Sequence, residues 1–154
     1  MKIVSAEILI KAPPKTVWQV LSDFNNYPEW NPTISYISGE LEPNSFLETK
    51  IHLPKQRPFI LRPRIIKLEE EKNIIWAGSK INHFFFLGVH SFNLIPQEEN
   101  QTLFKQIESF SGLLRPFAGK HIKKAQESFE VMNLALKYKA ESLLQSSILE
   151  SNPQ

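Results

Sequence analysis

Two hydrophobic rhythms divide this chain, and their order restricts its fold more than any other feature. Between residues 33 and 111, β-like runs recur about every ten residues, at 33–41, 45–53, 58–68, 72–80, 84–96 and 101–111, which is the rhythm of an antiparallel meander. The breaks between them are charged or turn-forming: "EPN", "PKQRP", "EEEKN", "KIN" and "PQEEN". After "SGLLRPF" the rhythm changes to threes and fours. From Phe117 to about Ser147, residues Ile122, Ala125, Phe129, Met132, Leu136 and Leu143 share one face, with Lys123, Lys124, Glu127, Glu130, Lys137 and Glu141 on the others. That pattern predicts one amphipathic helix of about 30 residues, about 45 Å long, beginning near Pro116. Ahead of the meander, Val4, Ala6, Ile8 and Ile10 alternate as a strand. Pro13 and Pro14 then open a short helix carrying Val17, Trp18 and Leu21, and the prolines of "NNYPEWNP" forbid a long one.

Six or seven antiparallel strands with one apolar face need a cover, and the long helix is the only element large enough to supply it. The expected fold is therefore α+β: a curved antiparallel sheet of six to seven strands around one long C-terminal helix, with short helices after the first strand. A length of 154 residues suits a single domain, read here as 1–148 with a frayed tail at 149–154. A net charge of +2, with basic residues scattered among acidic ones, gives no surface for nucleic acid. The chain has no cysteine, so disulfides and thiol chemistry are excluded. Ser5 and Glu7 break the first apolar run, which lacks a small-residue cleavage site and does not read as a signal peptide. No stretch approaches the roughly 20 apolar residues of a membrane helix. The expectation is a cytoplasmic domain without stable membrane insertion.

The run 84–96, "FFFLGVHSFNLIP", places Gly88, His90, Phe92 and Leu94 on one side of its strand. Its hairpin partner places Thr102, Phe104, Gln106, Glu108 and Phe110 on one side. If Phe92 and Phe104 face the helix, His90, Gln106 and Glu108 face it too. Opposed or diagonal residues lie about 4.5–8 Å apart, so His90 falls within reach of Gln106 or Glu108. A buried carboxylate must be paired, hydrogen-bonded, hydrated or protonated, and His90 is the nearest partner for Glu108, with Arg62, Arg64 and Arg115 as others. On the neighbouring strand the same side carries Ile74, Trp76 and Gly78.

The order of elements, with the residues that punctuate it, resembles the START-like helix-grip superfamily (SRPBCC domains, polyketide cyclase/dehydrase-like). "ILIKAPPKTVWQVLSDFNNYPEWNP" is similar to that family's opening motif. "RPRI" at 62–65, "IIWAG" at 74–78, "GVHSF" at 88–92, "ESFSGLL" at 108–114 and "MNLALKYKAE" at 132–141 resemble a bacterial ligand-binding branch. The resemblance runs from about residue 3 to 142. It implies a deep, mostly apolar pocket between sheet and helix, in a superfamily whose members include lipid carriers, hormone receptors and cyclases. Fold does not by itself settle function.

Candidate ligand-binding residues are Trp30, Trp76, His90, Phe92, Phe104, Gln106, Glu108, Phe110, Phe117, Phe129 and Met132. The aromatics among them have the types of a pocket lining, and equally of plain core. His90 and Glu108 read as a structural pair, a ligand anchor or an acid–base pair. Asn133 reads as a structural hydrogen-bonding residue, His52 and His83 as strand-end or loop residues, and His121 as a surface residue. No cofactor motif or metal-ligand spacing is present among the four histidines, and no P-loop, dinucleotide fingerprint or nucleophile elbow. The preferred function is the binding or carriage of a small hydrophobic molecule: a lipid, an isoprenoid or an aromatic. The alternatives are a cyclase or dehydratase using His90 and Glu108 as acid and base, and a protein-interaction domain with a filled core.

Overall fold

The computed structural model describes residues 2–78, 87–112 and 119–151. β1 (Lys2–Ile10) leads into α1 (Pro14–Ser22), a 3-10 turn (Phe24–Asn26) and the single-turn α2 (Tyr27–Trp30). The strands β2 (Ile34–Ser38), β3 (Glu48–Ile51), β4 (Phe59–Leu61), β5 (Arg64–Glu69), β6 (Asn73–Gly78), β7 (Leu87–Gln97) and β8 (Gln101–Ser111) follow, and then α3 (Gly119–Ser151). The class is α+β, with an antiparallel meander and one long C-terminal helix.

The strands form two sheets, a five-stranded one in the order β1-β8-β7-β6-β5 and a three-stranded one in the order β2-β3-β4. The run 58–68 supplies two strands rather than one, because Pro63 has no N–H to donate to a ladder. On one side of it β4 pairs with β3, and on the other β5 pairs with β6. Residues 44–47 join the sheets: Asn44 N–H donates to the Ile65 carbonyl, Ile65 N–H to that of Ser45, and Leu47 N–H to that of Pro63. The expected curvature is thus achieved by a turn from one sheet into the next. α3 extends beyond the expected Ser147 to Ser151.

α3 lies along β1, the unpaired edge of the large sheet. Gln126 Nε2 donates to the Ser5 carbonyl at 2.9 Å and Lys137 Nζ to the Leu9 carbonyl at 2.7 Å, while Glu141 Oε1 accepts from Lys11 N at 2.7 Å. Side chains of the helix thereby satisfy backbone groups of an edge strand that would otherwise invite another chain. Ala125, Ser128, Phe129, Met132, Asn133, Leu136 and Ala140 form the buried stripe of α3, and Val131, Leu134 and Tyr138 the exposed one, the period of 3.6 residues that an amphipathic helix requires.

The interior has two unlike ends. At one, Trp18 and Leu21 of α1, with Phe24 and Tyr27, pack against Phe92, Leu94, Phe104, Met132 and Leu136 in the main core. At the other, Val4, Ala6, Phe110, Ala125 and Phe129 form a smaller cluster that includes no residue of α1. Space remains at this second end.

Candidate functional site

Cross-strand rows build the wall of that space. Gly78, Gly88 and Phe110 form one row across β6, β7 and β8; Trp76, His90 and Glu108 form the next; Ile74, Phe92 and Gln106 the third. Because β7 and β8 are regular, each step of two residues moves one row toward α1. The first two rows border a cavity of about 90 Å³. The small sheet closes its far side with Thr49, Ile51, Phe59 and Leu61, the segment after β3 adds Leu53, and α3 contributes Ala125 and Phe129. A ligand pocket for a drug-sized molecule is typically about 300–1,000 Å³, so this cavity in its present form suits one ring or a chain end.

Of the residues singled out in the sequence, Trp76, His90, Glu108, Phe110 and Phe129 line the cavity. Phe92, Phe104, Gln106 and Met132 do not: they are buried in the third and deeper rows, where α1 fills the interior. Trp30 is half-buried against the main core, its ring 5.0 Å from that of Tyr27, and its indole N–H has no hydrogen-bond partner among the described residues. Phe117 lies outside the described residues, as do His83 and Arg115. His52 follows β3 directly and its Nε2 is 2.6 Å from Ser35 Oγ.

The sequence reading missed the wall made by the small sheet. Its signal was present in "LETKIHL", where Leu47, Thr49, Ile51 and Leu53 alternate with Glu48, Lys50 and His52. Leu47, Thr49 and Leu53 are buried and Lys50 is exposed. What the alternation cannot convey is that this strand belongs to a separate sheet facing the first.

His90 sits between two phenylalanines. Its ring stacks on Phe92 at 4.2 Å and on Phe129 at 4.6 Å, with Trp76 edge-on at 5.9 Å. Its Nε2 lies 3.0 Å from Gln106 Oε1, and Gln106 Nε2 donates to Asn133 Oδ1 at 2.6 Å. Gln106, whose carboxamide oxygen can only accept, fixes the ring as the Nε2–H tautomer and leaves Nδ1 as its acceptor. Burial among aromatics drives the His90 pKa down to about 3, against a smaller upward pull from Gln106, so the imidazole is neutral over the ordinary pH range.

Glu108 stands directly opposite His90 in the β7–β8 ladder, yet the hydrogen bond of His90 goes to Gln106. The expected His90–Glu108 partnership is therefore replaced by a diagonal one. The Glu108 carboxyl instead extends along its strand and lies over Gly88: a Cβ on that glycine would sit 2.7 Å from Glu108 Oε1. Gly88 clears room for a carboxyl group. No described residue hydrogen-bonds to that carboxyl or forms an ion pair with it. Its side chain is half-buried, but the surface it retains borders the cavity. Burial raises its pKa to about 8, so near neutrality it is mainly the uncharged acid.

Among the described residues, no three histidine or acidic side chains gather to hold a metal ion, and no helix is long and apolar enough to cross a membrane. The family model for polyketide cyclase/dehydrase and lipid transport matches residues 1–141. No curated protein matches the chain in sequence. Among solved structures, a START superfamily protein from Mycobacterium smegmatis superimposes with a TM-score of 0.73 at 22% identity, over 92% of this chain and 98% of that one. A hypothetical protein from Helicobacter pylori does so with 0.75 at 14%, over 90% and 88%. The Zhui aromatase/cyclase from Streptomyces sp. R1128 does so with 0.73 at 12%, over 95% and 97%. At these identities the likeness is one of fold.

Proposed function

This chain belongs to the polyketide cyclase/dehydrase and lipid transport family, and from that premise we propose that it binds a small hydrophobic molecule in the cavity between its sheets and α3. The observation that carries the reading is the division of the interior: one end is filled by α1, while the other keeps an apolar-walled space with a carboxyl, a neutral imidazole and a hydroxyl on its border. Small-molecule sites combine apolar walls with a few polar groups that set orientation. Trp76, Phe110 and Phe129 supply the aromatic walls, and His90 and Glu108 the orienting groups.

The cyclase named for the Streptomyces relative offers a second reading, in which His90 and Glu108 exchange protons with a substrate. General acid–base catalysis works best with a pKa near the working pH. His90 is far from that range and is committed to Gln106, so anchoring is the better account of it. A filled scaffold that acts only through its surface leaves an unpartnered carboxyl beside a cavity without an explanation.

Extraction of the purified protein under denaturing conditions, followed by mass spectrometry, should release an apolar small molecule, and adding that molecule back should raise the melting temperature. A protein that yields no such molecule, and that no hydrophobe in a broad panel stabilises, would remove this reading.

A further inference from the structure

The polar groups on the cavity border also say what kind of molecule suits it. Among the described residues that line it, the polar side chains are Thr49, His90 and Glu108, and none is a lysine or arginine. The Thr49 hydroxyl donates its proton to the Leu61 carbonyl at 3.0 Å. His90 donates through Nε2 to Gln106 and presents no second proton. His90 Nδ1 is left as an acceptor, and among the described lining residues Glu108 supplies the one hydrogen-bond donor without a described acceptor, its carboxyl occupying the gap above Gly88.

The described groups facing Glu108 supply no charge to balance it. β7 contributes His90, β6 contributes Trp76 and Gly78, and β1 contributes Val4 directly across the ladder. α3 contributes Ala125 and Phe129, and the small sheet Thr49 and Ile51. His90 is the one titratable group among these, and it is uncharged. An ionised carboxylate in such a place loses water and gains nothing in return. The stable form is the protonated acid, whose O–H has no hydrogen-bonded acceptor among the described residues. A ligand carboxylate would have to be buried as a charge beside described lining residues that include no cation.

Resting on the hydrophobe-binding reading, we propose that this cavity selects uncharged, oxygen-bearing hydrophobes (ketones, esters or alcohols) whose oxygen accepts a hydrogen bond from the Glu108 carboxyl group, and that it rejects carboxylates such as fatty acids. The upward displacement of the Glu108 pKa, to about 8, keeps that proton in place near neutrality and releases it in moderately alkaline solution.

Four compounds that share a benzene ring and a two-carbon substituent test the selection: ethylbenzene, acetophenone, phenylacetate and 2-phenylethylamine. Their dissociation constants are measured by calorimetry or by titration of amide NMR signals, at about pH 6 and about pH 9.5, on either side of the Glu108 transition. At the lower pH acetophenone should bind about tenfold more tightly than ethylbenzene, the worth of one hydrogen bond, and phenylacetate more weakly than either. At the higher pH the advantage of acetophenone should disappear. Glu108→Gln keeps an N–H donor and cannot ionise, so it should hold the preference for acetophenone at both pH values.

At the lower pH, equal binding of ethylbenzene and acetophenone to the wild type, or tighter binding of phenylacetate or the amine, overturns the selection while leaving hydrophobe binding intact. Binding of none of the four by the folded wild type removes both. The wild-type comparison needs no variant, so it decides the matter even if a substitution impairs folding.

Discussion

Gly88, His90 and Glu108 occupy neighbouring positions on two strands, yet each is decided by a different force. Gly88 leaves the space that the Glu108 carboxyl occupies, and a methyl group there would oblige that flexible side chain to move. His90 and Glu108 are both neutralised by burial, in opposite directions. The unfolded chain ionises Glu108 above its ordinary pKa of 4.5, whereas the folded one holds the proton to about 8. The stability this group confers is therefore complete below 4.5 and lost as pH rises through 8. His90 behaves conversely: its ordinary pKa is 6.5 and its folded one about 3, so its contribution is complete above 6.5 and lost as pH falls through 3. Within either window the slope approaches about 1.4 kcal/mol per pH unit. As far as these groups govern it, stability should peak between about 4.5 and 6.5. Urea unfolding of wild type and Glu108→Gln across pH 4–10 (a range of about six units) checks this. The variant should lose the decline on the alkaline side, and an unchanged decline would show that other groups cause it.

At the scale of elements, α3 performs two tasks with two faces. Its buried stripe packs into both the main core and the small cluster, and its polar flank caps the edge of β1. Met132 is fully buried, whereas Tyr138, less than two turns away, is exposed. Met132→Ala should cost about 2–5 kcal/mol through the transfer and cavity contributions. Tyr138→Ala should stay within about 0.5 kcal/mol. Chemical denaturation distinguishes them, and similar costs for the two would contradict the rotational setting of the helix. The hairpin β7–β8 likewise divides its inner face by length rather than by residue type. Its far half meets α1 and becomes core; its near half meets no such plug.

For the whole molecule, the cavity exists because the strands break into two sheets and a short helix fills only one end. A ligand that binds only the folded state should stabilise the molecule by about 2.7 kcal/mol at one hundred times its dissociation constant. For a domain of this size that is about 5–10 °C in melting temperature. Ala125, on the cavity border, offers a control: Ala125→Leu should occupy the space, keep the fold and abolish the ligand-induced shift. Thermal unfolding with and without ligand reads the result, and a shift that survives in the variant would place binding elsewhere.

Most of the architecture was legible along the chain, because it depends on local periodicity. Alternation in residues 84–111 and the spacing of Ala125, Phe129, Met132 and Leu136 are properties of sequence neighbours, and they determined strands, helix and facing sides without any knowledge of packing. Pro63 carried the break in the sheet, although its meaning depended on which strands lay beside it. Tertiary structure alone decided which inward residues border a cavity. Phe92 and Phe110 have the same type and the same inward direction, and only the position of α1, more than 70 residues earlier in the chain, makes one of them core and the other wall. It also decided that His90 bonds Gln106 rather than Glu108, since that choice turns on side-chain distances across a ladder. Periodicity fixes where a side chain points, but what it meets there is set by elements remote in sequence.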